Sequence, residues 1–148
     1  MIINGKSLLF QAPIKNMLTE KHTAHGVTHG LTECGYDLQI KQDVWLNPHN
    51  RFALASSIEE FQMPNNLVAV VHDKSSWARR GLSVFNSCIE PGWNGFLTLE
   101  LVYHGNEHLF IPAGSGIAQV IFHDLNEPAA YKGRYQGQAD RPVYAILA

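Results

Sequence analysis

The chain has 148 residues, 45% of them apolar and 16% charged, a composition that suits one globular domain with a single core and leaves little room for a second. A formal charge of -2 and a pI near 6.4 supply no basic footprint for nucleic acid, so an anionic partner has to be held by a few local cations. No apolar run reaches the length of a membrane span, and residues 1–20 lack a secretory pattern, which makes a soluble, cytoplasmic protein the expectation.

In chain order, a short helix is predicted over residues 6–11 with Asn4 as its cap. Residues 19–35 are polar and punctuated by glycine, and read as a loop. Short β-type runs then follow at 36–40, 43–46, 52–56, 59–62, 67–72, 83–86, 96–103, 108–111 and 116–123. Turn signals such as Asn47-Pro48, Pro64-Asn65, Pro91-Gly92 and Pro112-Ala113-Gly114 separate many of them. Many short strands at this spacing predict a mostly-β, antiparallel sandwich or barrel-like fold. One mid-chain helix is predicted over 75–80, ended by Gly81. The last stretch, 131–148, has no strong period and reads as a tail able to close over something.

Two constellations stand out. The first is Asp73-Lys74-Ser75-Ser76-Trp77-Ala78-Arg79-Arg80-Gly81, where hydroxyls, backbone amides and a helix start converge with a lysine and an arginine. That combination suits a phosphate; the plainer reading is a capped surface helix with solvated cations. The second runs from Ile89-Glu90-Pro91-Gly92-Trp93 to Thr98-Leu99-Glu100-Leu101. Alternation in a strand puts Leu97, Leu99 and Leu101 on one face and Thr98 and Glu100 on the other. A glutamate held among apolar neighbours has its pKa raised, which suits a general acid or base near neutrality. The plainer readings are a solvent-facing Glu100 and an ordinary turn carboxylate at Glu90.

The two cysteines, Cys34 and Cys88, form no CxxC pair, and free thiols are expected over a lone disulfide. Zinc nucleobase deaminases require a His or Cys ligand, a nearby glutamate and a later Pro-Cys-x-x-Cys, none of which occurs here. The spaced histidines His25/His29 and His104/His108 have no HExxH frame, so no metal site is assigned to the protein itself. Trp45, Trp77 and Trp93 are expected in the core or an interface.

Together these segments resemble the dCTP deaminase branch of the dUTPase superfamily over most of the chain. Gly35-Tyr36-Asp37-Leu38 resembles the family's early Asp-Leu strand, and residues 54–61 with Pro64 resemble the stretch leading to its phosphate motif. Lys74-Ser75-Ser76-Trp77-Ala78-Arg79 resembles the motif R-S-S-x-x-R with lysine in first place. Ile89-Glu90-Pro91-Gly92-Trp93 and Thr98-Leu99-Glu100 resemble I-D-P-G-[FW] and its following L-E, and Arg134-Tyr135-Gln136-Gly137-Gln138 is similar to K-Y-Q-x-Q. Each element is weak alone, but all five fall in the family's order.

The resemblance implies a single dUTPase-like domain over 1–148, a distorted β-barrel or sandwich with one or two short helices, with 131–148 as the closing tail. It implies a homotrimer with active sites at subunit interfaces and a nucleoside triphosphate, dCTP or dUTP, carried with Mg2+. The glutamate matching Glu100 would shuttle protons between water, ring N3 and the leaving ammonia, with Arg79 and Ser75 positioning the water and the ring edge. Lys74, Ser75 and Ser76 would lie along the phosphates, and Glu90 would take the deoxyribose 3′-hydroxyl. Thr98 would line the site, and Tyr131, Arg134 and Gln138 would come from the tail. Two features depart from the pattern. Glu90 replaces an aspartate, and the interval from Arg79 to Glu100 is about two residues shorter than in deaminases. The shortening falls near Asn86-Ser87-Cys88, where the family uses a backbone carbonyl to hold the exocyclic amine.

The competing expectation is a dUTP diphosphatase, or a bifunctional enzyme that deaminates dCTP and releases dUMP and pyrophosphate. There Glu90 would activate water for attack on phosphorus, and Gln119 resembles a dUTPase phosphate contact. The tail lacks the Arg-Gly…Gly-Phe-Gly closing motif of ordinary dUTPases, and retention of Glu100 with Arg79 favours deamination. A nucleotide-binding regulator without turnover is the alternative from another class.

Overall fold

A computed structural model describes residues 1–147. Twelve strands and two short helices follow one another among them. Strand β12 (Gly116–Asp124) is the organising element, buried at Ile117, Ala118, Val120, Ile121 and Phe122. A strand covered on both faces reads as a near-continuous apolar run, as this one does. It pairs antiparallel with β4 (Tyr36–Gln39) on one side and β7 (Leu67–Asp73) on the other. The sheet continues outward through β3 (Val27–Leu31) to β2 (Lys21–Ala24), and through β7 to β9 (Cys88–Ile89); β1 (Ile2–Ile3) joins the far end of β12.

A second sheet carries the longest strands. Strand β10 (Asn94–Tyr103) lies between β6 (Phe52–Gln62) and β8 (Leu82–Val84), and β5 (Val44–Leu46) pairs with β11 (Leu109–Ile111) beside it. Leu38, Ile40, Leu46, Leu99, Leu101, Ile111 and Phe122 are fully withdrawn from water among these sheets. The arrangement is a mostly-β, distorted sandwich, as the strand pattern predicts.

Four local expectations require correction. Residues 19–35 are not a loop: β2 and β3 form a hairpin in which Ala24 faces Val27. Its two-residue turn, His25-Gly26, has φ of 54° and 76°, the left-handed pair a tight hairpin needs. Strand β2, Lys-His-Thr-Ala, is mostly exposed and polar, so it lacks an apolar period. The runs at 52–56 and 59–62 are one strand, β6, with an irregularity where three residues, Ser57 to Glu59, face the single residue Leu97. Helix α1 (Gly5–Gln11) begins after Asn4, but the Asn4 amide donates to Glu33 O at 2.8 Å and makes no cap. Helix α2 is only Ser75–Ala78, with Arg79 at its C-cap and Gly81 at φ 94°.

Candidate active site

Strand β10 carries the first constellation. Leu99 and Leu101 point into the core, and Glu100 points the other way, only partly exposed. Leu97 lies where three residues of β6 face one of β10; it packs partly buried against the core cluster and also borders, with Thr98 and Glu100, a cavity of about 690 Å³. Leu54 stands opposite Glu100 across the ladder, and Phe85 N–H donates to Glu100 O at 3.1 Å from the other side. Both side chains line the same cavity, as does Phe52, whose ring lies 6.3 Å from that of Phe85. Burial here pushes the Glu100 carboxyl above its ordinary value of 4.5. The carboxyl has no hydrogen-bond partner among the described residues, so its proton is free to move to and from whatever enters the cavity.

Glu90 stands at the rim of the same cavity, exposed. Pro91 and Gly92 occupy the centre of a tight turn, with Gly92 at φ 74° and Trp93 N–H donating to Glu90 O at 3.2 Å, the sequence signature of a type II turn. Trp93 is buried behind it against Phe61, and its indole N–H donates to Tyr135 O at 2.6 Å. That bond ties the tail to the site.

The tail adds to the start of β10. Phe96 N–H donates to Gln138 O at 3.1 Å, and Gln138 Nε2 donates to Phe96 O at 2.8 Å and to Thr98 Oγ1 at 2.9 Å. Gly95 permits this approach: its φ is 138°, and a Cβ there would stand 2.5 Å from Gln138 N. Thr98 Oγ1 also accepts from Val143 N–H at 3.0 Å. Tyr131 lines the cavity and its hydroxyl accepts from Tyr135 N–H at 3.1 Å. Glu90, Thr98, Glu100, Tyr131 and Gln138 therefore surround one space.

The other sequence-named residues lie off that wall. Ser75, Ser76 and Arg79 are exposed on α2 and its cap, and their side chains have no partner among the described residues. Lys74 is buried, its ammonium 2.6 Å from Asp37 Oδ2 and 3.0 Å from Thr28 Oγ1. Gln119 Nε2 donates to Thr32 Oγ1 at 3.1 Å, and Arg134 donates to Ile146 O at 2.9 Å within the tail. Trp77 and Trp93 are core residues, whereas Trp45 is 62% exposed and stacks on Phe110 at 4.6 Å. Cys34 and Cys88 are both free thiols. Among the described residues no three His, Cys, Asp or Glu side chains gather as a metal site, and no helix is long and apolar enough to cross a membrane. The apolar wall of Phe52, Leu54 and Phe85 and the amide of Asn86 escaped the sequence reading, because each acts through neighbours distant in the chain.

The fold is of the dUTPase-like class, here with a carboxylate-lined cavity. The chain belongs to the dCTP deaminase-like family, whose profile matches residues 36–125. It is 42% identical over 106 residues to the dCTP deaminase of Acinetobacter baumannii (strain AYE), covering 68% of this chain and 56% of that protein. It is 37% identical over 132 residues to the dCTP deaminase of Acinetobacter baylyi, covering 86% of this chain and 69% of the relative. The first of these alignments thus spans little more than half of the relative's length. Among solved structures, a mutant dUTPase from phage phi11 of S. aureus, described with a structural Mg(II) ion, is similar with a TM-score of 0.59 at 16% identity, over 80% of this chain and 91% of that one.

Proposed function

We propose that the chain catalyses hydrolytic deamination of dCTP to dUTP and ammonia, with Glu100 as the acid–base group and without zinc. The observation that carries the reading is the Glu100 carboxyl. It has no hydrogen-bond partner among the described residues, its pKa is raised by burial, and it faces a cavity of about 690 Å³ that Thr98, Gln138 and Glu90 also line. The likeness to dCTP deaminases supports the choice of reaction.

In this scheme the Glu100 carboxylate takes a proton from water as the hydroxide oxygen bonds to ring C4, and N3 receives that proton. Glu100 then moves the remaining hydroxyl proton to the exocyclic nitrogen. The C4–N bond breaks, ammonia leaves, and C4=O forms. The Thr98 hydroxyl hydrogen and Gln138 Oε1, which the contacts within the chain leave over, offer hydrogen bonds to the base and Glu90 to the sugar hydroxyl, with Tyr131 and Arg134 completing the tail's side. Ser75, Ser76 and Arg79, uncommitted on α2, serve the water, the ring edge and the phosphates, while the Lys74 ammonium braces that segment through Asp37. Gln119 lies outside the cavity, and a phosphate role for it requires the contact to Thr32 to open. Ser75, Ser76 and Arg79 do not line the cavity, and a homotrimer with sites shared between subunits, the form the family resemblance implies, would bring them to one nucleotide. Magnesium fits as a passenger on the triphosphate oxygens, where it would neutralise part of the phosphate charge.

A second reading rests on the uncommitted Glu90 carboxylate at the rim. As a base for water attacking phosphorus it would release pyrophosphate and dUMP, alone or after deamination. The test is to incubate pure protein with dCTP or dUTP and magnesium, separate the nucleotides by ion exchange, and assay ammonia and pyrophosphate in parallel. Conversion of dCTP to dUTP with equimolar ammonia is expected. Formation of dUMP with pyrophosphate would transfer the assignment to the second reading. Tight nucleotide binding without either product would make the chain a binding regulator and overturn both.

A further inference from the structure

The connection from β8 to β9 leaves a gap in the ladder beside Glu100, and one side chain fills it. Strand β8 pairs with β10 as far as Val84 opposite Leu101, and Phe85 N–H still reaches Glu100 O at 3.1 Å. The chain then turns away so that Cys88 and Ile89 can pair with β7. Two backbone groups of β10 still point at the vacated place, the Thr98 carbonyl and the Glu100 N–H, because groups flanking one residue of a strand face the same neighbour. The Asn86 carboxamide meets both: Nδ2 donates to Thr98 O at 2.7 Å, and Oδ1 accepts from Glu100 N–H at 2.9 Å. One donor need and one acceptor need fix which end of the amide is oxygen.

We propose that Asn86 is a positioning residue, a side-chain substitute for a strand rung, that holds Thr98 and Glu100 in register so that their side chains face the cavity. The inference rests on the reading of Glu100 as the acid–base group. Asn86 borders the cavity, and both ends of its amide are engaged by the backbone of β10, so its role is to hold Glu100 in place. The contact grips the peptide on both sides of Leu99, whose side chain is anchored in the core. Rotation of this strand segment is thereby resisted from both faces.

A merely structural amide and a positioning one give different results. The decisive measurement is the titration of the Glu100 carboxyl by carbon NMR in wild type, Asn86→Ala and Asn86→Asp, the resonance being identified by its loss in Glu100→Gln. Release of the strand in Asn86→Ala should let Glu100 relax toward water and lower its midpoint toward the ordinary 4.5. A carboxylate at position 86 should raise the midpoint further, since a like charge disfavours the ionised form. In parallel, kcat for ammonia release should fall about 10- to 100-fold in Asn86→Ala, since a misplacement of about 1 Å costs that much, with KM within about threefold. The proposal is overturned if neither variant moves the Glu100 midpoint, or if activity falls only in proportion to the folded protein lost. Should wild type release no ammonia, the deamination reading fails while the titration still decides the positioning role.

Discussion

Glu59→Gln is expected to stabilise the protein above neutral pH and to leave it nearly unchanged in mild acid. Glu59 sits in the irregular part of β6, only partly exposed, where both carboxylate oxygens share the N–H of Gln39 at 3.0 and 3.2 Å. Burial is the main cause that lifts its pKa from 4.5 to about 7, offset in part by that hydrogen bond. The folded state thus holds a proton the unfolded state releases. The carboxyl's contribution is most favourable below pH 4.5, is lost as pH rises to about 7, and stays lost above it. At about 1.4 kcal/mol per pKa unit, the rise from 4.5 to about 7 amounts to at most about 3.5 kcal/mol. Glutamine keeps an oxygen for the Gln39 N–H and removes the charge. Urea unfolding at pH 5 and pH 8, at fixed protein concentration, should show the variant's advantage growing by about 2 to 3 kcal/mol between them. An advantage that is flat with pH, or a variant less stable at pH 8, would refute the assignment of a costly buried charge to Glu59.

Glu100→Gln should abolish ammonia release while nucleotide binding, followed by calorimetry, stays within a few fold; in wild type the acid limb of kcat should lie above the ordinary glutamate value, because burial raises the Glu100 pKa. Arg79→Ala should lower kcat/KM by at least about 100-fold with a melting temperature close to wild type, since the side chain is exposed and without a partner among the described residues; unfolding as the main effect would make it a structural residue. Gly95→Ala should loosen the tail, since the new Cβ would meet Gln138 N at 2.5 Å; faster proteolysis near residue 138 is expected, and an unaltered cleavage pattern would count against the tail's dependence on that contact.

The parts of this protein that were legible in its sequence are those where one strong signal decides. The apolar run of β12 declares a strand at the centre of a sheet, and Pro91-Gly92 declares the turn that lifts Glu90 to the rim. Glu100 could be assigned to the face opposite Leu99 and Leu101 because the alternation holds there. The irregularity of β6 opposite Leu97 was not legible, since a bulge leaves no mark in a hydrophobicity pattern. The β2–β3 hairpin was hidden because β2 is polar, Gly30 interrupts the short β3, and the turn is His25-Gly26 rather than Asn-Gly. Lys74 and Asn86 illustrate a different limit. The lysine's partner, Asp37, is 37 positions away, and the amide's partners are backbone groups. No local period or motif encodes either contact, since both arise only when strands assemble.

Glu59 and Glu100 bear on how a reactive carboxylate is to be recognised here. Both belong to the β6–β10 ladder, and in both burial is the cause that raises the pKa. The direction of the shift therefore does not separate them. Their hydrogen bonds do. A cavity of about 380 Å³ opens beside Glu59, but both of its oxygens are committed to the Gln39 N–H, so its perturbation is spent on joining β6 to β4. The Glu100 side chain has no such commitment, while its backbone is held twice, by Phe85 N–H and by Asn86. A group that is to pass protons has to be fixed in place yet left unsaturated at the atoms that react. Fixing the main chain and leaving the carboxyl free meets both demands, and a shift in pKa acquires chemical use only in that combination.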